Sequence, residues 1–199
     1  MYDRGPILSE EERKELYDWI VGPMYKNLRP IICKRLLYKF QEDDQNIIPL
    51  VWTIEKRLCE KEGLQNCVKE RKLKNFIMYI PKGGYIDKHI DPNSDNLFQA
   101  RFNIFISVPN DNCKTYYDGF EVTTKEGSYV LSRSGIDYHW SEPNTDSVPR
   151  ISISFGYLIS SEKMDELTSD TSVGKYRFYP LTPPSPPKPS PSPPTLAPP

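Results

Sequence analysis

From Asn75 onward the chain alternates apolar and polar positions with a period of two, whereas before it apolar residues recur at helical spacing. The cleanest alternation covers residues 98–108. There Phe102, Ile104, Ile106 and Val108 fall on one face, and Arg101, Asn103, Phe105 and Ser107 on the other, because successive strand side chains point to opposite sides. Residues 150–155 repeat the pattern, with Ile151, Ile153 and Phe155 against Arg150, Ser152 and Ser154. Further short strands are expected at 76–80, 128–132 and 138–140, and Asp118-Gly119 marks a tight hairpin. Short strands at such spacing predict an antiparallel barrel or jelly roll.

Residues 1–74 read as a mostly helical lead-in to the same domain. Ser9 and Glu12 form a capping box for a helix over 11–21 with Leu16, Trp19 and Ile20 as its apolar stripe, ended by Gly22 and Pro23. Pro49 suits the first turn of a second helix, which carries Leu50, Val51, Ile54 and Leu58 and stops at Gly63. Its charges, Glu55, Lys56, Arg57, Glu60, Lys61 and Glu62, read as a solvated face, as do Lys69, Arg71, Lys72 and Lys74. Residues 33–40 fit strand and helix equally. If the sheet rolls up, the polar set at 150, 152 and 154 lines a pocket. The apolar set then needs a cover, which the N-terminal helices supply.

Composition adds limits to this picture. The 199 residues fit one domain, and 37% hydrophobic with 12% aromatic residues supports a core. A net charge of −1 gives no global pull toward nucleic acid or an acidic membrane. No stretch approaches a membrane span or a signal sequence, so a cytoplasmic location is expected. Cys33, Cys59, Cys67 and Cys113 lack paired metal spacing and read as reduced thiols.

The candidate chemistry lies in Gly83-Gly84-Tyr85-Ile86-Asp87-Lys88-His89-Ile90-Asp91. In an extended segment His89 and Asp91 share a face, and the chain's other histidine, His139, follows fifty positions later. Two histidines and a carboxylate with open positions suit non-haem Fe(II); a hydrolytic zinc site uses the same donors. Arg150 and Ser152, on one strand face, place a guanidinium fork beside a hydroxyl, which suits a carboxylate held in bidentate fashion.

The ordered set His89, Asp91, His139, Arg150 and Ser152 resembles the Fe(II)/2-oxoglutarate-dependent dioxygenase superfamily over residues 75–160. The resemblance implies a double-stranded β-helix of jelly-roll or cupin-like form, buttressed by N-terminal helices, in a core spanning 75–168. It implies Fe(II) on His89, Asp91 and His139, and 2-oxoglutarate with its far carboxylate on Arg150 and Ser152. O2 is the co-reactant, ascorbate an accessory reductant, and the outcome is hydroxylation of a C–H bond, most simply of a peptide or protein side chain. Tyr85 and Trp140 are assigned to the substrate pocket.

Two branches are similar in finer detail. The run from Arg101 to Pro109, with Asn112, Cys113 and Lys114, Gly127 and Trp140, resembles aspartyl/asparaginyl beta-hydroxylases, where an Arg-x-His holds 2-oxoglutarate. Arg101 keeps the first position and Asn103 replaces the histidine. Animal members lack the triad carboxylate, whereas Asp91 is present here. Tyr79, Tyr85 and His89 echo the prolyl 4-hydroxylases, in which the first tyrosine meets the cosubstrate. The usual lysine anchor is replaced by Arg150. AlkB-type nucleic-acid demethylases carry a second arginine where Gly156 stands, so a nucleic-acid substrate is not expected.

From Thr182 onward proline dominates, with Ser, Thr and Lys188 between. Residues 169–199 therefore read as a disordered, polyproline II-rich tail outside the fold. It could recruit an SH3- or WW-type partner or dock on the chain's own active site. A non-catalytic jelly-roll binding module and a tail-based adaptor are the alternatives to an enzyme.

Overall fold

The structure is a computed structural model that describes residues 2–93, 96–109, 114–122 and 124–169. The helix signals hold. α1 (Glu10–Val21) opens with Ser9 and Glu12 in a reciprocal capping box, and the Gly22 N–H closes it on the Asp18 carbonyl. α2 (Pro49–Glu62) has proline in its first turn and ends on Gly63 in the left-handed region, φ 62°. α3 (Ser161–Ser169) follows the last strand.

The N-terminal part is less helical than the sequence suggests. It also supplies β1 (Tyr2–Pro6), β2 (Arg29–Ile31), β3 (Arg35–Phe40) and β4 (Val68–Lys69). The ambiguous run at 33–40 is thus strand from Arg35. It pairs antiparallel with β5 (Asn75–Ile80), an interaction that local propensity does not encode.

The remaining strands are β6 (Phe98–Ser107), β7 (Thr115–Tyr117), β8 (Phe120–Val122), β9 (Ser128–Ser132), β10 (His139–Ser141) and β11 (Arg150–Ile159). Among the described residues they form two sheets. The large one has eight strands in the order β1-β9-β6-β11-β5-β3-β2 with β4 on β11; the small one is β10-β7-β8. All pairings are antiparallel. The β7–β8 hairpin turns through Asp118 and Gly119 at φ 48° and 86°, the two positive angles of a type I′ turn.

One face of the large sheet carries the hydrophobic core. Phe102, Ile104, Ile106, Ile151, Ile153 and Phe155 pack with Leu16, Trp19 and Ile20 of α1 and Val51, Ile54 and Leu58 of α2. Each such fully buried aliphatic side chain contributes roughly 1.5–3 kcal/mol. The helices therefore cover the apolar face, and the alternate residues are left to line the inside between the two sheets. Two charges of α2 depart from the solvated face. Glu55 and Glu62, two turns apart, are buried. Glu55 meets Lys69 at 3.1 Å and accepts from Tyr157 at 3.3 Å, while Glu62 accepts from Tyr129 and meets Arg4 at 3.4 Å. The partners that make this burial tolerable come from strands far along the chain.

Candidate metal and cosubstrate site

The segment holding His89 and Asp91 is set by a turn and by main-chain pairing. Pro81-Lys82-Gly83-Gly84 reverses the chain with Gly83 at φ 79° and the Gly84 N–H on the Pro81 carbonyl at 2.9 Å. A Cβ on Gly84 would lie 2.7 Å from the Lys34 carbonyl oxygen, so the chain passes there only as glycine. Beyond the turn His89 pairs directly with His139. The His89 N–H donates to the His139 carbonyl at 3.1 Å, and the His139 N–H returns to His89 at 2.9 Å. The Asp91 N–H donates to the Ser134 carbonyl at 2.8 Å. Residues fifty positions apart thus become neighbours through one antiparallel bridge.

The side chains converge. One ligand atom from each of His89, Asp91 and His139 lies within 4.8 Å of the others. His89 Nε2 is 3.5 Å from Asp91 Oδ1. Each imidazole has its Nδ1 on a main-chain carbonyl, His89 on Asp87 at 2.7 Å and His139 on Asp137 at 3.2 Å. A carbonyl can only accept, so each Nδ1 carries a proton and Nε2 is the nitrogen left to a metal, which at His89 competes with a proton shared with Asp91. A metal-binding histidine needs this tautomer and this hydrogen bond on its far nitrogen. The donor set fits a divalent ion such as Fe(II).

The electrostatics follow from burial and partners. Its hydrogen bond to Asp91 raises the His89 pKa against desolvation. Burial and the neighbouring His89 lower that of His139. For Asp91, burial works against ionisation, but the His89 hydrogen bond and the charges of Arg101 and His139 outweigh it and hold the carboxyl below its ordinary value. The anionic form required of a ligand is therefore the favoured one.

The three residues open onto a cavity of about 190 Å³ whose lining includes Arg101, Asn103, Phe105, Thr115, Tyr117, Trp140, Arg150 and Ser152. That volume suits a compact ligand rather than a drug-sized one, for which roughly 300–1,000 Å³ is usual. Arg150 is buried, lies over the Phe105 ring at 5.2 Å and donates to the Thr115 hydroxyl. Ser152 shares its strand face. Arg101 stands opposite Gly156, six residues along β11 from Arg150, roughly 20 Å at about 3.3 Å per residue. The two arginines therefore start from well-separated points along the sheet, and Arg101 is paired with Asp91 and Glu70 while Arg150 is paired with Thr115.

The cavity brings together His89, Asp91, His139, Arg101, Asn103, Arg150, Ser152 and Trp140, and leaves out two residues expected from the sequence. Tyr79 has the parity of Ile77. It faces the helix side of β5 and meets Tyr25 edge-on at 5.4 Å, while Phe76, Met78 and Ile80 line the cavity. Tyr85 leaves the Gly84 turn on the exposed surface. Thr115, Tyr117 and Phe105 were not picked out from the sequence. Tyr117 stacks on His139 with centroids 5.6 Å apart; the parity of β7 could have revealed it together with Thr115.

No protein-family model and no curated protein matches the sequence. Solved structures do match. The viral collagen prolyl hydroxylase of Paramecium bursaria Chlorella virus-1, in its 2OG complex, superposes with a TM-score of 0.57 at 14% identity, covering 79% of this chain and 95% of that one. This chain shares that fold. The prolyl hydroxylase of Trichoplax adhaerens, solved with a hypoxia inducible factor peptide fragment, gives 0.59 at 11% identity over 81% and 84% of the two chains. HygX from Streptomyces hygroscopicus, with nickel and 2-oxoglutarate bound, gives 0.58 at 10% identity over 80% and 82%. The two-sheet arrangement here is the double-stranded β-helix fold of these structures. Among the described residues no helix is long and apolar enough to cross a membrane.

Proposed function

We propose that the chain is an Fe(II)- and 2-oxoglutarate-dependent oxygenase that hydroxylates a C–H bond of a peptide or protein side chain. The observation that carries this reading is the convergence of His89, Asp91 and His139, with both Nδ1 atoms taken by main-chain carbonyls so that Nε2 is the nitrogen each offers a metal, in the cavity that also holds buried Arg150. When bound, the iron supplies the oxidising chemistry: 2-oxoglutarate, O2 and R–H become succinate, CO2 and R–OH. Ascorbate would keep the iron ferrous.

The protein's own residues do the positioning. His89, Asp91 and His139 hold the ion from one side and leave the other open. Arg150, oriented by Thr115 and Phe105, offers a charged fork to the far carboxylate of the cosubstrate, with Ser152 beside it. Asn103 lies along the same wall, and Trp140 is the candidate for the substrate side.

A peptide substrate is supported by the peptide bound to the Trichoplax enzyme. Nucleic-acid demethylation is disfavoured at Gly156, which stands where the AlkB-type enzymes carry a second arginine and whose Cβ position lies 3.1 Å from the Arg101 guanidinium. The proline-rich stretch lies outside the described residues. We keep for it two roles, an SH3- or WW-type ligand and a substrate-like segment for its own active site. Cytoplasmic residence is supported by the free thiols of Cys33, Cys59 and Cys67.

Succinate release from the purified chain with Fe(II), ascorbate, 2-oxoglutarate and proline-containing peptides tests the activity. Mass spectrometry of peptide and protein locates any added oxygen, and truncation at Pro180 isolates the tail. Absence of succinate with and without peptide would remove the enzyme reading and favour a binding module.

A further inference from the structure

Arg101 is enclosed by partners from its own chain. Its side chain is 3% exposed, and every side of its guanidinium is occupied. Nε lies 3.3 Å from Asp91 Oδ2, and Nη2 lies 3.4 Å from Glu70 Oε2. Nη1 donates to the Lys74 carbonyl at 3.2 Å and to the Ser154 hydroxyl at 3.3 Å. With its amide turned so that the oxygen faces the guanidinium, the Gln99 carboxamide accepts from Nε and Nη2 at 2.9 Å, and the Phe76 ring lies 4.6 Å away. Glu70 is anchored in turn, because its carboxylate accepts the backbone N–H groups of Lys72, Leu73 and Lys74 at 2.5, 2.7 and 2.9 Å. Gly156 leaves the room that the guanidinium fills.

We propose that Arg101 is a positioning residue for the metal ligand Asp91, and that Glu70 with the 70–74 loop holds Arg101 in place. Asp91 uses its two oxygens differently: Oδ1 faces His89 Nε2 at 3.5 Å, while Oδ2 faces Arg101. Pinning Oδ2 leaves Oδ1 as the single ligand atom and stops the carboxylate from rotating to chelate with both oxygens. The guanidinium of Arg101 lies between two buried carboxylates, Asp91 and Glu70, and so ties the metal ligand to the 70–74 loop. The wall opposite the cosubstrate end is thus a relay from the loop through Glu70 and Arg101 to the ion.

This inference rests on the metal reading, and the experiment separates the two. Anaerobic Co(II) titration of the whole chain reads affinity and the visible ligand-field spectrum together; calorimetry then reads 2-oxoglutarate binding to the Co(II)-loaded protein. The wild type should bind one Co(II). Arg101→Met should weaken Co(II) at least 10-fold and alter the ligand-field band, while 2-oxoglutarate affinity of the loaded protein changes less than 3-fold. Glu70→Gln should give a smaller loss of the same kind, and the double variant should be no worse than Arg101→Met alone. Should Arg101→Met not fold, Gly156→Ala, which keeps every charge and crowds the guanidinium, should show the same band shift. Unchanged Co(II) affinity and spectrum with a collapse of 2-oxoglutarate affinity would overturn the proposal and make Arg101 an anchor. A wild type that binds no Co(II) would remove the metal reading itself.

Discussion

Replacing Arg150 by alanine tests the cosubstrate end of the cavity most directly. The residue is 5% exposed, so a carboxylate entering beside it surrenders its water and must be repaid by the guanidinium. Loss of a charge-assisted partner at such a site costs roughly 2–4 kcal/mol. At about 1.4 kcal/mol per factor of ten, 2-oxoglutarate affinity should fall about 30- to 1,000-fold. Isothermal titration of the Mn(II)-loaded protein under argon would read this, with Mn(II) affinity itself changing less than about 3-fold because Arg150 is not among the converging ligand atoms. A second ligand isolates the partner: 2-oxopentanoate has the same keto-acid head without the far carboxylate. It should bind wild type and variant alike. An equal loss for both ligands, or a 2-oxoglutarate affinity within about 3-fold of wild type, would refute the assignment of Arg150 to the far carboxylate.

Three further outcomes are expected. The Asp91→Ala, His139→Ala double variant should lose the one-per-chain Fe(II) uptake of the wild type in anaerobic titration, since two of the three converging donors are gone. Gly84→Ala should lower stability by about 1–3 kcal/mol in urea melts, because its Cβ would meet the Lys34 carbonyl at 2.7 Å and Ile80 Cγ2 at 2.9 Å. Glu12, whose pKa is held below the ordinary 4.5 mainly by the hydrogen bond from Arg57, stabilises the fold above that value. Its contribution is lost as pH falls through the lowered folded-state pKa. The gap between wild type and Glu12→Gln, up to about 1 kcal/mol for a partly exposed pair, should therefore be present at pH 6 and close toward pH 3.

The parts of this protein that obey a local rule were legible from residue order. The capping box of Ser9 and Glu12, the Pro49 start and Gly63 stop of α2, and the Asp118-Gly119 hairpin each follow from backbone chemistry within a few residues. The two-residue period of β6 and β11 likewise separated the cavity face, with Arg101, Asn103, Arg150 and Ser152, from the face that the helices cover. His89, Asp91 and His139 could be nominated because the chain has two histidines and the donor chemistry is restrictive. Tertiary structure decided what depends on partners distant in sequence. Nothing local told that His89 and His139 share one bridge, that Tyr79 turns toward Tyr25, or that Glu55 and Glu62 find buried partners and leave water. The division between the arginines belongs there too. Both sit on the cavity face by parity, yet only pairing across β6 and β11 separates them along the strand, with Arg101 against Asp91 and Glu70 and Arg150 beside Thr115. Alternation records the side of a sheet to which a residue points; its position along the sheet is fixed by strand register, a property of two chain segments at once.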